Sequence, residues 1–468
     1  MNRYTYLLKN IGLLTLSNFA TKLLSFFLVP LYTNILTTTE YGTYDLFNTT
    51  IGVLIPILTL NIQEAVMRFS LDNKNNRKSI VTVATKYLLI SNTFVILGLG
   101  VNYVFGLSLI VKQYSILFFL MFLSQTISGM VTMYIRGIDR ISDLSVSSVF
   151  ASVTTIVLNI TFLAILHWGL IGYFLANIIG PLVQCLYLIC RAHITKEINL
   201  KKSYLSEEKE MLDYSKPLIA NSIAWWVNNV SDRYVVVFFC GLAQNGVYSV
   251  ASKIPSILNI FQSIFNQAWT LSAVKDFDPD DKSGFFTNTY KAYNCMMTIV
   301  CSGIILTDKI LAKFLYAKDF YTAWKYVPWL TIAILFGALS GYLGGFFSAV
   351  KDSKIFARST MIGAIVNLGL NILFTPFYGA MGAAVATAIC YIVVWVIRYQ
   401  QSKKYIRIRV NLMRDIITYI LLIFQSIFIL MNGIKMYICV GTLFVIICLL
   451  YIKDIRLVLG KIVRRVKK

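Results

Sequence analysis

Charge is scarce in this sequence. Asp, Glu, Lys and Arg make up 14% of 468 residues, against about 25% in an ordinary soluble domain. Acidic residues are the scarcer kind, 21 against 43 Lys and Arg. The deficit runs the whole length and excludes a water-soluble enzyme with a membrane tail. Histidine occurs only twice, at His167 and His193, too seldom for a metal cluster. The eight cysteines include no CxxC pair, and all lie in or at the ends of apolar segments. They read as small apolar residues rather than as metal ligands or a disulfide framework. No Walker A motif and no Ser/His/Asp or zinc constellation is present. The DFDPDD run, Asp276 to Asp281, resembles a metal or sugar-nucleotide motif. With no glycosyltransferase-sized domain around it, it reads as a solvated loop. No cofactor is expected.

What is there is apolar. Hydrophobic residues make up 57% of the chain and the mean hydropathy is +0.69. A bilayer-spanning helix needs about 20 mostly apolar residues. Fourteen such segments can be drawn, at about 11–36, 46–69, 80–105, 109–135, 144–166, 169–190, 214–240, 246–271, 285–307, 326–350, 355–376, 380–399, 412–432 and 434–452. At ~20 residues each they account for roughly 60% of the chain, which leaves little for a soluble domain. Arg3 and Lys9 precede the first run as a signal peptide's basic region would. The run is too long for one and lacks a small-x-small cleavage site, so it is expected to be a retained first span.

The net charge of +22 would suggest nucleic acid on a soluble protein. Here it sorts by loop. Thirty-three Lys and Arg fall in alternate loops, on the side of the N-terminus, and six in the loops between. Cationic loops stay cytoplasmic. The pattern therefore predicts an even number of spans with both ends inside, and no nucleic-acid partner. One loop, 308–325, is discordant and reads as an amphipathic surface segment.

A weak internal repeat is visible. LTTTEYGTYDLFNTTIGVL from Leu36 aligns with CGLAQNGVYSVASKIPSIL from Cys240, placing Gly42 on Gly246 and Tyr44 on Tyr248. GLIGYFLANIIG from Gly169 aligns with GAMGAAVATAIC from Gly379, placing Gly172 on Gly382. Both joins fall at equivalent loops of two six-helix halves, and an even number per half makes the repeat parallel, a known transporter construction. The expected fold is an all-α integral membrane protein of about 14 helices, with two six-helix lobes related by a parallel pseudo-twofold axis. Residues 1–195 form the N-lobe, 196–211 a cytoplasmic linker and 212–400 the C-lobe. Residues 401–468 carry two extra helices and a basic tail.

Charges within spans cost about 2.5–3.5 kcal/mol each at the membrane centre. They are few: Lys22, Glu64, Arg68, Asp232, Arg233 and Lys253. Polar residues accompany them at helical spacing. The first span carries Thr15, Asn18, Lys22 and Ser25. The second carries Asn61, Glu64 and Arg68. The seventh carries Asn221, Trp225, Asn228 and Asp232. The eighth carries Ser252, Ser256, Asn259, Ser263, Asn266 and Thr270. These are the first two spans of each half, and their stripes are expected to line one aqueous cavity with a column of cations. The deep charges are mostly positive, so the expected ligand is an anion, with Lys and Arg as phosphate partners. Other readings stand beside this one. Glu64 and Arg68 are spaced to pair with each other. Asp232 could neutralise a neighbouring cation, cap a helix or couple an ion, as could Glu64. Single Ser, Thr and Asn residues often join helices. Trp225, Trp226 and Trp269 could be interfacial anchors.

The stretch LSNFATKLLSFFLVPLYTNILTTTEYGTYDL and the stretch SDRYVVVFFCGLAQNGVYSVASKIPSIL followed by SIFNQAWTLSA resemble the Wzx-type flippases of bacterial polysaccharide synthesis. These belong to the multidrug/oligosaccharidyl-lipid/polysaccharide exporter superfamily. The resemblance covers nearly the whole chain. It implies a multi-pass protein of the bacterial plasma membrane, not an enzyme. Its implied action is export of an undecaprenyl-diphosphate-linked oligosaccharide repeat unit by alternating access, often with coupling to an ion gradient. It implies membrane lipid and other polysaccharide-assembly membrane proteins as partners. It places Lys22, Arg233 and Lys253 at the family's cationic cavity positions, and gives the two extra helices the lipid tail to shelter. The alternatives are a multidrug or cation antiporter of the same fold, or a membrane polysaccharide polymerase or ligase. A polymerase or ligase would need a larger extracytoplasmic loop than 308–325.

Overall fold

The computed structural model describes residues 26–71, 76–275, 277–350 and 352–456, and they are helical almost throughout. In lipid each backbone N–H and C=O must be satisfied within its own segment, which leaves the helix as the natural form for apolar runs of this length. The helices are α1 (Val29–Ile35), α2 (Thr38–Leu58), α3 (Ile62–Ser70), α4 (Arg77–Phe105), α5 (Leu109–Gln113), α6 (Ser115–Gly137), α7 (Ile141–Asn159), α8 (Gly169–Ala192), α9 (Leu205–Ala251), α10 (Ser256–Lys275), α11 (Phe285–Leu315), α12 (Val327–Ala349), α13 (Ser353–Tyr378), α14 (Ala380–Ser402), α15 (Leu412–Phe428) and α16 (Ile434–Leu450). Their starts are written in the sequence. Thr37 and Glu40 close a capping box at α2, and Asn76, Ser108, Asp352 and Asn411 accept from backbone N–H groups at α4, α5, α13 and α15.

Among the described residues nine helices are long and apolar enough to cross a bilayer, or ten if α2 and α3, bent 64° apart, form one broken span. Their outward faces are apolar: on α4, Leu89, Phe94, Leu97, Val101 and Val104 are 48–76% exposed. Such faces are the ones lipid covers, and this is a multi-pass membrane protein. The expected first span lies mostly outside the described residues. The last two appear as helices of 17 residues each.

The chain forms two compact units, 1–230 and 231–468. In the first, α6, α7 and α8 pack together, with α3 and α4 against α6. The charged stretch 196–211 joins this unit. Ile194, Tyr204 and Met211 are buried in its core with Ile62, Ile80 and Leu188. Glu208 accepts from Lys86 Nζ at 2.8 Å and from Tyr87 Oη at 2.9 Å. In the second unit the central element is α12, the most buried of the long helices, with α10, α11 and α14 packed on it. α15 and α16 are tied to α11 by polar contacts. Asn294 Nδ2 donates to Tyr451 Oη at 3.1 Å, Tyr451 donates to Asp415, and Ser302 Oγ donates to Gln425 Oε1 at 2.8 Å.

The aligned glycines take the same local role in each unit. Gly169 and Gly379 open α8 and α14 at φ +54° and +59°, a region that favours glycine. Three residues on, a Cβ at Gly172 would lie 2.8 Å from Phe162 Cβ, and one at Gly382 would lie 2.5 Å from Phe374 O. Each helix thus crosses the preceding one at backbone contact.

Two expectations need correction. Segment 308–325 is not all loop: α11 runs to Leu315, and only Lys318–Lys325 is a separate 3-10 stretch, with Phe320, Ala323 and Trp324 buried and Lys318, Tyr321 and Lys325 exposed. The acidic run is not simply solvated. Asp281 is buried and accepts from the N–H groups of Phe286 and Thr287 at 3.0 and 2.8 Å, capping α11.

Candidate functional site

Two polar assemblies stand out, one within each unit. In the first unit the second expected span is broken. α2 ends at Leu58, and Leu60 and Asn61 take left-handed backbone at φ 50° and 54° before α3 begins. Asn tolerates that conformation better than branched residues do. Pro56, near the end of α2, removes one ladder donor. Asn61 Nδ2 donates to Ser222 Oγ on α9 at 3.2 Å, and Trp226 Nε1 donates to Thr49 O at 2.9 Å. The indole packs against α2 at Gly52, its Cδ1 3.7 Å from where a Cβ would sit, an ordinary contact distance. Glu64 follows Asn61 in the first turn of α3. Discontinuous helices at membrane depth are tolerated where they meet other protein or line a cavity, and transporter sites favour them.

The residues named from sequence divide sharply here. Glu64 and Arg68 form no ion pair; Glu64 is half-buried and Arg68 exposed. Asn221 is exposed and Trp225 is 50% exposed, on one side of α9. Asn228, two turns on from Asn221, is covered instead. It is 8% exposed and donates to Ala224 O at 3.0 Å, a local helix bond. Trp226 is held by its backbone bond and Trp269 is 3% exposed in the core, donating to Tyr342 O at 2.9 Å. Trp269 is thus a core residue and not an interfacial anchor. Lys22 and Asn18 lie outside the described residues.

In the second unit Asp232 sits at the centre of a buried oxygen-rich cluster. It is 5% exposed. Its Oδ2 accepts from Tyr248 Oη at 2.6 Å and lies 3.5 Å from Thr387 Oγ1, while its Oδ1 accepts from Arg233 N at 2.9 Å. The Arg233 guanidinium stands 4.0 Å from Oδ1. The cluster continues along α13: Asn367 Nδ2 donates to Thr387 Oγ1 at 3.3 Å, and Asn371 Nδ2 donates to Asn367 Oδ1 at 3.0 Å. Asn371 Oδ1 is buried with no hydrogen-bond partner. One carboxylate among amide, hydroxyl and carbonyl oxygens can hold a proton or a small hard cation. Among the described residues no group of three His, Cys, Asp or Glu could hold a metal. Arg233 therefore has a buried carboxylate beside it, rather than being a bare cation. The eighth expected span is interrupted as well: residues 252–255 form a turn, and Lys253 sits in that turn, half-buried. Asn259 and Asn266 on α10 are half-buried, and Asn266 approaches Gly341 of α12.

Sequence reading missed several residues. Thr387, Asn367 and Asn371 are uncharged, and only the four-residue step from Asn367 to Asn371 marks a polar face. Arg398, at the end of the twelfth expected segment, is 5% exposed inside α14, donating to Ser359 Oγ, Ser340 O and Thr360 Oγ1 at 2.9, 3.0 and 2.9 Å. Asp308, the first residue of the segment 308–325 that sequence reads as a loop, is fully buried, with neither carboxylate oxygen hydrogen-bonded. A charge near a segment end cannot be told from a loop charge without the neighbouring helix.

Comparison with known proteins gives these assemblies a setting. A flippase described as probable for low-salt glycan biosynthesis, Agl15 of Haloferax volcanii, is 21% identical over 216 residues, 45% of this chain and 45% of that protein's length. The match therefore spans less than half of that relative. The lipid II flippase MurJ, in an inward closed conformation, superposes with a TM-score of 0.70 at 15% identity, covering 94% of this chain and 99% of that one. A multidrug resistance MATE transporter of the MOP superfamily, inward-facing, gives 0.64 at 14% identity, over 86% of this chain and 95% of that one. At such identities the structures share a fold and no more. The family pattern described as polysaccharide biosynthesis protein matches residues 7–270, a stretch that holds the broken α2–α3 span and the whole of α9. More than half of the chain thus carries that pattern, and this protein belongs to the polysaccharide biosynthesis protein family.

Proposed function

We propose that this chain is a flippase. It moves an undecaprenyl-diphosphate-linked oligosaccharide repeat unit across the bacterial plasma membrane for surface polysaccharide synthesis, as a transporter and not an enzyme. Family membership carries the reading, and the relative named a glycan biosynthesis flippase agrees with it. The chemistry of the first unit fits the substrate. Arg68 is exposed and unpaired with Glu64, so its guanidinium is free to meet phosphate bidentately. Asn221 and the half-exposed Trp225 offer an amide and a ring face for sugar. Lys22 stands in the same role; in the second unit, Lys253, Asn259 and Asn266 are the half-buried polar positions proposed for substrate. Asp232, set among Tyr248, Thr387, Asn367 and Asn371, is the ion-coupling group of this reading, with Glu64 at the broken span as the other candidate carboxylate. The lipid chain stays in the bilayer during the movement.

The test is complementation of a strain lacking the gene, with the full chain. Wild type should restore surface polysaccharide and clear the lipid-linked repeat unit from the inner leaflet. Lys22→Ala and Arg68→Ala should leave protein level unchanged and let the lipid-linked unit accumulate. Drug sensitivity with intact polysaccharide in the deletion strain would instead identify a multidrug antiporter. Accumulation of single exported units would identify a polymerase.

A further inference from the structure

A cavity of about 410 Å³ opens between α13 and α14 in the second unit, lined by Asp352, Ile355, Arg358, Ser359, Ile397 and Lys404 among others. We propose that it is a binding site for the head group of an anionic phospholipid, with the phosphodiester between Arg358 and Lys404 and one acyl chain along the outer face of α13.

The charges argue for an anionic group. Arg358 and Lys404 are exposed at the cavity and make no ion pair. The one carboxylate there, Asp352, is engaged elsewhere: its Oδ2 accepts from Tyr405 Oη at 2.7 Å and its Oδ1 from Ile355 N at 3.4 Å. Two cations against one carboxylate leave the lining net positive, which a phosphodiester monoanion meets. The wall behind is also electropositive. Arg398 Nε donates to Ser359 Oγ at 2.9 Å from a buried position, and its guanidinium lies 4.1 Å from the Phe356 ring centroid, with no carboxylate beside it.

The apolar side argues for a lipid rather than a soluble phosphate. Ile355, Ile362 and Ile397 line the same cavity. From its rim, Met361, Ile365, Leu368 and Ile372 follow one another at steps of four, three and four, 40–67% exposed. That stripe is about 16 Å long at 1.5 Å per residue, close to the ~15 Å of one leaflet's hydrocarbon. The loop charges place this end of α13 on the cytoplasmic side, and basic pockets between spans on that side suit acidic head groups.

The experiment is native mass spectrometry of the full-length purified protein. It is titrated with palmitoyl-oleoyl phosphatidylglycerol, with the phosphatidylcholine of the same chains, and with inorganic phosphate. Wild type should retain the glycerol lipid over the choline lipid. Arg358→Gln/Lys404→Gln should weaken that retention roughly thirtyfold, the factor two interfacial cations supply together. Arg407→Gln/Arg409→Gln removes the same charge from the connection between α14 and α15, outside the cavity lining, and should retain the lipid as wild type does. Should the first pair fail to fold, Ile362→Trp fills the cavity without touching charge and should abolish the preference. No lipid preference in wild type, equal loss in both double variants, undiminished binding in Ile362→Trp, or occupancy by phosphate alone would each overturn the proposal.

Discussion

Replacing Asp232 by Asn separates a coupling carboxylate from a structural one. The amide keeps the shape and one acceptor oxygen and removes the charge. A charge at membrane depth costs about 2.5–3.5 kcal/mol on insertion scales. Hydrogen bonds to a charged group return about 1.5–3 kcal/mol each, and Asp232 accepts two good ones, at 2.6 Å from Tyr248 and 2.9 Å from the Arg233 backbone. Making both neutral forfeits about half their strength, which roughly offsets the relieved cost of burying the charge. The Arg233 guanidinium, 4.0 Å away, also loses its counter-charge, so the net change is expected as a loss of about 1–2 kcal/mol, a shift in melting temperature of a few degrees. Coupling between an ion and a substrate site is typically ~1–3 kcal/mol, or about 5–150-fold, and that is the factor the variant should lose. The assay is flipping of a fluorescent lipid-linked oligosaccharide in proteoliposomes, with and without sodium or proton gradients. Gradient stimulation should vanish while gradient-independent flipping continues. Wild-type stimulation in Asp232→Asn refutes the coupling role. A melting temperature lowered by about 10 °C or more would make the residue structural instead.

Gly382→Ala places a Cβ 2.5 Å from a backbone oxygen that cannot rotate away; thermal melting in detergent should show a loss of about 1–3 kcal/mol. Asn61→Gly keeps the left-handed turn and should retain most transport, whereas Asn61→Val should lose it, since a left-handed branched residue costs at least about 1–2 kcal/mol. Thr37→Ala removes the capping box of α2 and should destabilise by about 1 kcal/mol; equal melting curves would contradict that cap. The Tyr405 hydroxyl holds the Asp352 carboxyl below its ordinary range, and the same bond raises the Tyr405 hydroxyl. The stabilisation is therefore full at neutral pH and fades as pH falls through the depressed value. Tyr405→Phe should move the Asp352 titration upward, toward about 3.9, as read from its carboxyl signal against pH.

The helical membrane architecture was legible residue by residue. Expected segments at 80–105, 169–190, 326–350 and 380–399 meet helices at Arg77–Phe105, Gly169–Ala192, Val327–Ala349 and Ala380–Ser402. Apolar runs in lipid have few other ways to satisfy their backbone, so composition alone carries that far. The paired glycines at 172 and 382 were legible too, because a helix crossing at backbone contact admits only the smallest residue. The candidate sites were legible only in part. Asp232 stood out because a carboxylate in a span is rare. The neighbours that surround it, Tyr248 farther along α9 and Thr387, Asn367 and Asn371 on two other helices, are ordinary residues, and nothing local marks them as one cluster. Asn228 has the spacing of a site residue and turns out to bond its own helix. Arg398 and Asp308 looked like loop charges until packing showed them buried. Sequence by itself determined which segments enter the membrane and which charges are costly there, because transfer energy is a property of each residue. Tertiary structure decided which of those charges are shielded, paired or open to a ligand, because that depends on what a distant part of the chain places within a few ångströms.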